Sequence, residues 1–262
     1  MSRLMDLPLI INIIGIGRAS GKTSLVEFLI NRLRQRHYRV STVKHISQAF
    51  NTVHKDTWRH LDAGALTVVA ATPNELISIK KIQDPSLEAT LDAVPKEVDI
   101  IIVEGFKRSK YPKVIASQTI KDAEMLMNDV TAAFAISGSV AEKVHEKSIQ
   151  GIPILNPDEL FTKVEEMVIQ RIVKGLPGLN CGKCGTNSCE EFARTLLMRK
   201  NYIDQCIPIQ ETRVILKVND EQVYLNPFPA TLIKNVVLGM IGDLKGVNKD
   251  IPQKISLEIK ED

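Results

Sequence analysis

The densest chemistry in this 262-residue chain lies in its cysteines: there are four, and all fall between positions 181 and 206. Gaps of two, four and sixteen residues separate them. Thiolates this close in sequence can wrap one metal centre, with the last ligand returning after a helix. Glycines at 182 and 185 let backbone N–H groups approach the sulfurs. The pattern predicts a [4Fe–4S] cluster with four ligands: Cys181, Cys184, Cys189 and Cys206.

Two other arrangements of these thiols remain open. A structural zinc ion can also be held by four cysteines, although such sites usually use two Cys-x-x-Cys pairs and the longer gaps fit that poorly. Free buried cysteines are the third arrangement. Disulfides are disfavoured, because the N-terminus lacks the layout of a signal peptide and the protein is expected to be cytoplasmic, where thiols stay reduced.

A second set of residues is suited to phosphate. The segment GIGRASGKTSL, residues 15–25, follows an apolar run and opens a helical pattern. Its backbone N–H groups would converge on an anion, Lys22 would reach the terminal phosphates, and the Thr23 hydroxyl would bind Mg²⁺. The strict pattern has glycine at position 16, where this chain has Ile16, so a glycine-rich turn with a chance Gly-Lys-Thr is the alternative. The predicted nucleotide contacts here are Gly17, Arg18, Ala19, Ser20, Gly21, Lys22, Thr23 and Ser24.

An acidic partner for Mg²⁺ should end a neighbouring buried strand, and VDIIIVEGF, residues 98–106, offers two acids. Glu104 is at the carboxyl end, where ligands bind in open α/β sheets, and is predicted to contact Mg²⁺ or water; a plain surface acid is the alternative. Asp99, at the other end, is expected to be a solvated strand start. No Asn-Lys-x-Asp motif selects the base, so the nucleotide is GTP or ATP.

These residues must be positioned by elements that the apolar pattern predicts. Short β-branched runs typical of buried strands alternate with helical patterns, one from Thr23 and one over 158–173. This alternation predicts an α/β fold: a mostly parallel P-loop NTPase sheet flanked by helices. The predicted strands span residues 9–16, 39–45, 66–72, 76–81, 99–106, 112–117 and 132–138.

A domain boundary is predicted at KGLPGLN, residues 174–180, because two glycines and a proline interrupt the helical pattern. Residues 1–173 would form the nucleotide-binding domain. Residues 174–208 would form the Fe–S domain, with a helix supplied by the segment 189–206. Residues 209–262 would form a small α+β segment. In that segment the pattern predicts a hairpin turning at Asn219-Asp220, a helix over 232–244 and a strand over 254–260.

Composition excludes several classes of partner. The net charge is only +3, which does not indicate binding to nucleic acid or to an anionic membrane. The longest apolar runs are too short to span a bilayer.

One more segment carries a resemblance. Four segments resemble motifs of the MobB family and occur in the family's order along the chain: the phosphate loop, VKHISQAFNTVHKDTWRHLDAGA at 43–65, VEGFK at 103–107 and PKV at 112–114. These are the molybdopterin-guanine dinucleotide biosynthesis adapter proteins. The resemblance covers about residues 8–173.

The resemblance implies a P-loop fold, usually dimeric, that binds GTP, hydrolyses it slowly and assists attachment of a guanine nucleotide to molybdopterin. Implied partners are the guanine nucleotide, molybdopterin or its nucleotidyltransferase, a molybdo- or tungstoenzyme, and a second copy of the chain. Asp56 would join Lys22 and Glu104 in the catalytic set by meeting Mg²⁺ or orienting water. Three cations would contact phosphates of the nucleotide or the pterin: Lys44, His45 and Arg59. The alternatives are that His45 is an ordinary strand-end histidine and that Arg59 is an ordinary cation on a helix surface.

The cysteine stretch has its own resemblance. It is similar to the four-cysteine Fe–S domain of corrinoid iron–sulfur proteins and of membrane electron-transport B subunits, which share its spacings and its Cys-Gly-x-Cys-Gly start. This likeness implies the same four cysteines as cluster ligands.

Three functions follow. The first is a nucleotide-binding adapter of molybdenum or tungsten cofactor biosynthesis, in which the cluster senses redox state or docks to a target enzyme. The second is an NTP-driven metallochaperone or reductive activator, in which hydrolysis gates electron transfer. The third is a non-catalytic scaffold, which the intact Lys22, Thr23 and Glu104 disfavour. The segment 43–65 favours the first, because electron gating gives it no evident purpose.

Overall fold

The computed structural model of the chain describes residues 8–17, 20–46, 56–211, 214–218, 221–223, 225, 227–242, 244 and 255. The chain divides into two compact units, Met1–Arg171 and Ile172–Asp262. The predicted domain boundaries at 173 and 208 stay predictions. Among the described residues, no helix combines the length and apolarity needed to cross a lipid bilayer.

The first unit alternates strands and helices up to α6, whose last three residues, 172–174, belong to the second unit. In chain order its elements are β1 (Leu9–Ile14), α1 (Lys22–Gln35), β2 (Val40–Lys44), α2 (Asp56–Asp62), β3 (Thr67–Ala71), β4 (Leu76–Lys80), α3 (Leu87–Leu91), β5 (Ile100–Glu104), β6 (Lys113–Ala116), α4 (Ile120–Met127), β7 (Ala133–Ser137), α5 (Val140–Lys143), β8 (Ser148–Ile149), β9 (Ile152–Pro153) and α6 (Pro157–Lys174).

Five strands form the central sheet, in the order β2-β5-β1-β6-β7, and every neighbouring pair is parallel. Strands β1, β5, β6 and β7 are mostly apolar and mostly buried, whereas the edge strand β2 has the sequence VSTVK and is partly exposed. On β5, for example, Ile101 and Val103 pack into one core cluster with Val43 of β2, while the alternating Ile100 and Ile102 are also fully buried. The predicted parallel α/β fold is confirmed.

Helices cover this sheet. The buried residues of α1, Leu25, Val26, Leu29 and Leu33, recur at helical spacing, and α1 contacts β1, β2 and β5. Helices α4 and α5 contact β6 and β7. Since α1 begins directly after β1, the first connection delivers the predicted phosphate loop to the carboxyl edge of the sheet.

The amino edge of β5 corrects one expectation. Asp99 is not a solvated strand start: it is 9% exposed and accepts hydrogen bonds from Arg39, at 2.7 Å from the backbone N–H and 3.3 Å from the guanidinium. Arg39 lies just before β2, the parallel neighbour of β5, so the pair joins the starts of two adjacent strands.

Two predicted strands do not join the central sheet. Strands β3 and β4 pair only with each other, as an antiparallel hairpin, with Val69 opposite Ser78 and Ala71 opposite Leu76. Several of its apolar side chains are exposed, including Leu76 at 75% and Val69 at 60%. A two-stranded ribbon alone is marginally stable in water, so these side chains gain little from the hairpin itself.

The second unit contains the cysteine stretch and a short tail. Its elements are α7 (Cys189–Leu197), a 3₁₀ turn (Ile203–Gln205), α8 (Ile207–Glu211), β10 (Leu216–Val218), β11 (Glu221–Val223) and α9 (Pro227–Ile241). The helix between Cys189 and Cys206 is shorter than the expected 189–206, because it ends at Leu197 and Arg199 takes a positive φ of 55°.

The tail matches its predicted pattern in part. Strands β10 and β11 are antiparallel, as expected of the predicted hairpin, while its turn residues Asn219 and Asp220 lie outside the described residues. Helix α9 begins at Pro227, five residues before the predicted start. The predicted strand over 254–260 lies, apart from Ile255, outside the described residues.

Candidate phosphate-binding site and candidate metal centre

The carboxyl ends of three adjacent strands build the candidate phosphate-binding site. The phosphate loop follows β1, Lys44 ends β2 and Glu104 ends β5, and these strands lie side by side in the sheet. Ligands of open α/β sheets bind at this edge, at the point where strand order reverses. Here the chain passes from β1 to β2 across the position that β5 fills.

The glycines of the phosphate loop explain the departure at Ile16. A Cβ on Gly15 would lie 2.8 Å from the carbonyl oxygen of Ala116 and would also collide with the Ser20 side chain. Gly17 and Gly21 have φ values of 66° and 81°, which favour glycine. The close-approach glycine is therefore one position earlier than the strict pattern places it, and the loop is one residue longer.

Lys22 lies within this loop. Its Nζ donates to the carbonyl of Gly17 at 2.6 Å and to Ser20 Oγ at 2.7 Å, so the ammonium is held among loop atoms. Burial lowers the pKa of Lys22, nearby Glu104 raises it, and the neighbouring cations Lys107 and Lys44 lower it further. Several positive charges thus converge where a phosphate would supply the balancing negative charge.

Glu104 joins the loop to β2. The Thr23 hydroxyl donates to its two carboxylate oxygens at 3.2 and 3.3 Å, and the Lys44 ammonium lies 3.3 Å from the same carboxylate. A threonine hydroxyl beside a carboxylate is the oxygen pair that holds Mg²⁺ beside phosphates in P-loop proteins. These residues fit a magnesium ion by their chemistry.

A cavity of about 750 Å³ opens beside these groups. Phe106 borders it and packs its ring against His45, with ring centroids 4.8 Å apart. Gly105 has φ 101°, and a Cβ there would lie 2.8 Å from the Cβ of His45. The ionisable residues that line the cavity are Lys22, His45, Glu88, Glu104, Lys107 and Arg108.

Lys107 and Arg108 were not among the predicted site residues. They follow the Glu104-Gly105-Phe106 end of β5 directly. A basic pair just beyond the carboxyl end of a buried strand was the available signal, since loops at that edge face the ligand.

Other predicted residues lie elsewhere. Asp56 and Arg59 pair with each other on α2 at 3.3 Å and are 88% and 78% exposed, and neither lines the cavity. Ser24 is exposed on α1. Arg18 and Ala19 lie outside the described residues. The roles of these residues stay predictions.

The four cysteines meet at a second place. All of them line one small pocket, which Phe192, Pro177 and Pro208 close with apolar surface. Burial raises the pKa of the Cys206 thiol, and its three fellow cysteines raise it further.

Local hydrogen bonds shape this pocket. Asn180 Oδ1 accepts from the Cys189 N–H at 2.8 Å, and the Ser188 hydroxyl caps α7 by accepting from the Glu191 N–H at 3.0 Å. Thr186 Oγ1 lies 3.2 Å from Cys184 Sγ. Cys181 is exposed and Cys206 is buried, so the pocket opens to the surface on one side.

The donor set fits a thiolate-ligated centre, because four thiols face one enclosed and mostly apolar space. The arrangement is not yet that of a closed metal site: across the part of the chain that the structure describes, no three His, Cys, Asp or Glu side chains are grouped to hold an ion. Both an Fe–S cluster and a Cys₄ zinc ion would use this donor set.

Comparison with known families finds a match for each of the two regions. Residues 10–137 match the family model "MobB: Molybdopterin guanine dinucleotide synthesis protein B". This segment is similar to the MobB family. Residues 176–208 match a model described as "Putative Fe-S cluster". The MobB match spans β1 to β7, and the second match includes all four cysteines. The resemblance to corrinoid proteins gains no support from it and stays a prediction.

Two curated relatives are named for molybdopterin-guanine dinucleotide biosynthesis. A "Molybdopterin-guanine dinucleotide biosynthesis adapter protein" of Haemophilus influenzae is 34% identical over 103 residues, 37% of this chain. The chain spans 56% of that relative's length. A "Probable molybdopterin-guanine dinucleotide biosynthesis adapter protein" of Bacillus subtilis is 26% identical over 155 residues, 57% of this chain and 86% of the relative.

One solved structure is similar to part of this chain. The crystal structure of Bacillus subtilis MobB is 24% identical, with a TM-score of 0.49 over 63% of this chain and 98% of that one.

Proposed function

We propose that this protein is a GTP-binding adapter of molybdenum or tungsten cofactor biosynthesis that assists formation or delivery of the molybdopterin guanine dinucleotide cofactor. The main support is that the MobB match covers the residues that gather at the sheet edge: the phosphate loop, Lys44 and Glu104. The names of both relatives refer to a guanine dinucleotide, which favours GTP over ATP.

The nucleotide roles follow from the geometry of the loop. Lys22 would exchange its contacts with Gly17 and Ser20 for oxygens of the terminal phosphates, because its ammonium already lies inside the loop. Thr23 and Glu104 would hold Mg²⁺, which neutralises phosphate charge when bound. Lys44 and His45 would meet phosphate groups of the nucleotide or the pterin from the end of β2.

Hydrolysis by this site would be weak. Glu104 already contacts Thr23 and Lys44, so it is poorly placed to act as a free base toward water. Asp56 could orient water only if α2 approached the cavity. "Adapter" therefore describes the protein better than "enzyme", with Lys22, Glu104 and Asp56 as the catalytic set of a slow GTPase.

Titration with GTP and with ATP, both with Mg²⁺, tests the nucleotide assignment. Lys22→Met keeps the aliphatic stem but removes the charge. Loss of one charge-assisted contact is worth about 1.5–3 kcal/mol, so affinity should fall roughly 10- to 100-fold. Lys81→Met is the matched control, because this exposed lysine pairs with Asp62 on the surface. Equal binding by Lys22→Met and the wild type would contradict the phosphate-loop assignment.

A second assay tests the adapter role. Purified protein is added to molybdopterin, GTP and the nucleotidyltransferase, and formation of the guanine dinucleotide is measured over time. We expect the wild type and Lys81→Met to raise the rate or yield, and Lys22→Met to do neither. If the wild type binds GTP but leaves the reaction unchanged, the role in cofactor assembly is wrong while the nucleotide site stands.

For the cysteine centre we propose a [4Fe–4S] cluster on Cys181, Cys184, Cys189 and Cys206, used for redox sensing or for docking to a molybdo- or tungstoenzyme. The family match over 176–208 and the shared pocket support it. A cluster would supply one-electron chemistry there. Iron, sulfide and zinc contents of protein purified without oxygen decide the metal: about four irons per chain support the cluster, and one zinc without iron overturns it.

A second function is favoured by the presence of a phosphate loop and a cysteine centre in one chain. In an NTP-driven reductive activator, GTP hydrolysis would gate electron transfer from the cluster to an acceptor. Reoxidation of the reduced protein by a dye acceptor distinguishes the two. Acceleration by GTP but not by a non-hydrolysable analogue would favour the activator over the adapter.

We also propose that the protein is a homodimer. The MobB resemblance implies it, and the β3–β4 hairpin offers a surface, because Leu66, Val69 and Leu76 are between 60% and 87% exposed there. Apolar side chains clustered on one small element are typical of a protein–protein contact.

A further inference from the structure

Lys113 at the start of β6 is the largest fully buried side chain in the described part of the chain. Its residue is 0% exposed, and no carboxylate of the described residues pairs with it. The ammonium donates instead to two backbone carbonyls, that of Ser109 and that of Tyr111, the latter at 3.0 Å. Burial lowers the pKa of this lysine, because loss of water penalises the charged form. Burying a cation among neutral acceptors costs free energy of folding, so such a lysine is expected to have a specific role.

A second buried polar side chain lies on the adjacent strand. Asn12 of β1 is 0% exposed and is the direct register partner of Lys113. Its amide Nδ2 donates to the carbonyl of Gly105 at 2.9 Å and to that of Phe106 at 3.3 Å. The two side chains therefore bind the same stretch of backbone from neighbouring strands.

That stretch is the connection from β5 to β6, residues 105–111, which we call the cationic segment. Asn12 holds its first two carbonyls, and Lys113 holds the carbonyls of its fifth and last residues. The segment needs such support, because Phe106 has a φ of 51°, a left-handed conformation that costs free energy in a residue with a side chain.

The residues between these anchors face the nucleotide site. Lys107 and Arg108 both line the cavity together with Lys22. Lys107 is near enough to Lys22 to lower the pKa of that lysine. Lys110, by contrast, is 75% exposed, does not line the cavity and lies 3.9 Å from Glu88.

The contacts of Asn12 and Lys113 with the cationic segment leave some buried polar atoms of the described residues unpaired. Asn12 Oδ1 and Ser109 Oγ are buried and have no hydrogen-bond partner within the described residues. A buried polar atom left unpaired costs about 1–3 kcal/mol, and such costs concentrate at functional sites.

We propose that Asn12 and Lys113 are positioning residues of the nucleotide site, which hold the cationic segment so that Lys107 and Arg108 contact phosphates of the bound nucleotide. The inference rests on the proposed GTP-binding function and extends its site by a second cationic wall, formed by Lys107 and Arg108, in the cavity that Lys22 also lines. Lys113 acts through the backbone and does not itself touch the ligand.

A mutant cycle on the full-length protein tests the proposal, with GTP and Mg²⁺ as the probe and affinity as the readout. Lys107→Met with Arg108→Met should weaken GTP binding about tenfold or more, the value of one charge-assisted contact. Lys113→Met, which preserves volume, should weaken it to a similar degree. When all three changes are combined, Lys113→Met should add no further loss, because the side chains that it positions are already gone. Lys110→Met is the matched control and should bind GTP as the wild type does.

Three results would overturn the proposal. The first is unchanged GTP affinity in the Lys107→Met, Arg108→Met double variant. This variant should fold normally, because both changes are on the cavity surface and the buried Lys113 is kept. The second is that Lys113→Met lowers GTP affinity by the same factor in the wild type and in the Lys107→Met, Arg108→Met variant. A purely structural role of Lys113 would produce that result. The third is full binding by Lys113→Met.

The outcomes separate this inference from the proposed function. If Lys22→Met abolishes GTP binding while the Lys107→Met, Arg108→Met variant binds normally, the nucleotide site stands and the second wall falls. If the wild type binds no GTP, both fall together. Should Lys113→Met fail to fold, the double variant and Asn12→Ser, a smaller change on the other anchor, carry the test; we expect Asn12→Ser to weaken GTP binding in the wild-type background only.

Discussion

Glu104 is the residue on which three elements converge, because it ends β5 and contacts Thr23 of α1 and Lys44 of β2. We expect Glu104→Gln to remove the dependence of GTP binding on Mg²⁺, since an amide is a much weaker ligand for a hard divalent cation than a carboxylate. GTP titrations with Mg²⁺ and with EDTA measure this. In the wild type Mg²⁺ should tighten binding, and in Glu104→Gln the two titrations should converge.

Glu88→Gln is the control for that experiment, because Glu88 also lines the cavity but belongs to α3 and faces Lys110 at 3.9 Å. It should keep the Mg²⁺ dependence. A Glu104→Gln variant that responds to Mg²⁺ like the wild type would remove Glu104 from the magnesium site.

Thr186 carries the second prediction at this scale. Its hydroxyl lies 3.2 Å from Cys184 Sγ and also donates to the Ser188 carbonyl at 3.1 Å. A thiolate has no proton, so if Cys184 binds a metal, a hydrogen bond at this contact requires the hydroxyl to turn its one proton from the Ser188 carbonyl to the sulfur. Hydrogen bonds to cluster sulfurs stabilise the more negative, reduced state. We expect Thr186→Val to lower the reduction potential, by roughly 40 mV if the bond contributes about 1 kcal/mol.

A redox titration followed by absorbance measures that shift. Thr186→Ser retains a hydroxyl and should keep the wild-type potential, and iron content should be unchanged in both variants. Equal potentials for the valine and serine variants would show that the hydroxyl does not reach the sulfur.

At the scale of elements, the phosphate loop depends on a glycine that the motif alone misplaces. Gly15→Ala would put a Cβ 2.8 Å from the Ala116 carbonyl oxygen of β6. Backbone cannot move away cheaply, so we expect a loss of about 1–3 kcal/mol in unfolding free energy, together with weaker GTP binding as the loop shifts. Denaturant unfolding and GTP titration measure the two effects.

Gly17→Ala is the comparison in the same loop. Its Cβ would meet nothing within 4 Å, although its φ of 66° costs about 1 kcal/mol for any other residue. Gly15→Ala should therefore be the more damaging of the two. The reverse order would assign the close approach to Gly17.

Much of this element pattern was predictable from sequence. The five sheet strands agree with the predicted runs to within two residues at each end. For β1 and β5 the reason is that a strand buried on both faces is almost entirely apolar, so the apolar run itself sets the limits of the strand. The β3–β4 hairpin was not predictable as a separate ribbon. Its apolar residues predict strands equally well whether those strands are buried in a sheet or exposed to solvent. In the first unit, helices α3, α4 and α5 and the two-residue strands β8 and β9 were not predicted.

The site was predictable where chemistry and position coincide. Lys22 and Thr23 are indicated by the phosphate-loop motif, and Glu104 is indicated by its position at the carboxyl end of a buried strand. The fold places the Thr23 hydroxyl against the Glu104 carboxylate. Lys113 could not be found in this way, because a lysine at a strand start is normally taken as solvent-exposed and only the fold shows that it is buried. Asp99 was misjudged for the same reason.

At the scale of the whole molecule, the exposed hairpin predicts the oligomeric state. Val69 and Leu76 lie on the same face of the ribbon. Val69 is directly opposite Ser78, and Leu76 is two residues from Ser78 on β4, so its side chain points to the same side. We expect Val69→Lys with Leu76→Lys to convert a dimer into a monomer, because two ammonium groups would be buried in the contact. Light scattering after size-exclusion chromatography gives the mass.

Met125→Lys is the control for the dimer, because Met125 on α4 is also exposed, at 54%, but lies outside the hairpin. It should leave the mass unchanged. A wild-type mass of one chain at micromolar concentration would reject the dimer, and a dimer that survives both lysines would move the contact to another surface.

The division into two compact units carries the last prediction. If the cysteine centre and the phosphate loop fold independently, Cys189→Ser should lose most of its iron, because one of four thiolates is gone. GTP affinity should then stay within about twofold of the wild type, since the effects of mutations at independent sites are additive. Iron content and a GTP titration on the same preparation measure both. Lys183→Ala, a change between two ligands that removes no thiol, should keep the iron. A Cys189→Ser protein that loses GTP binding along with its iron would mean that the metal centre supports the nucleotide site, the coupling that a redox-gated activator requires.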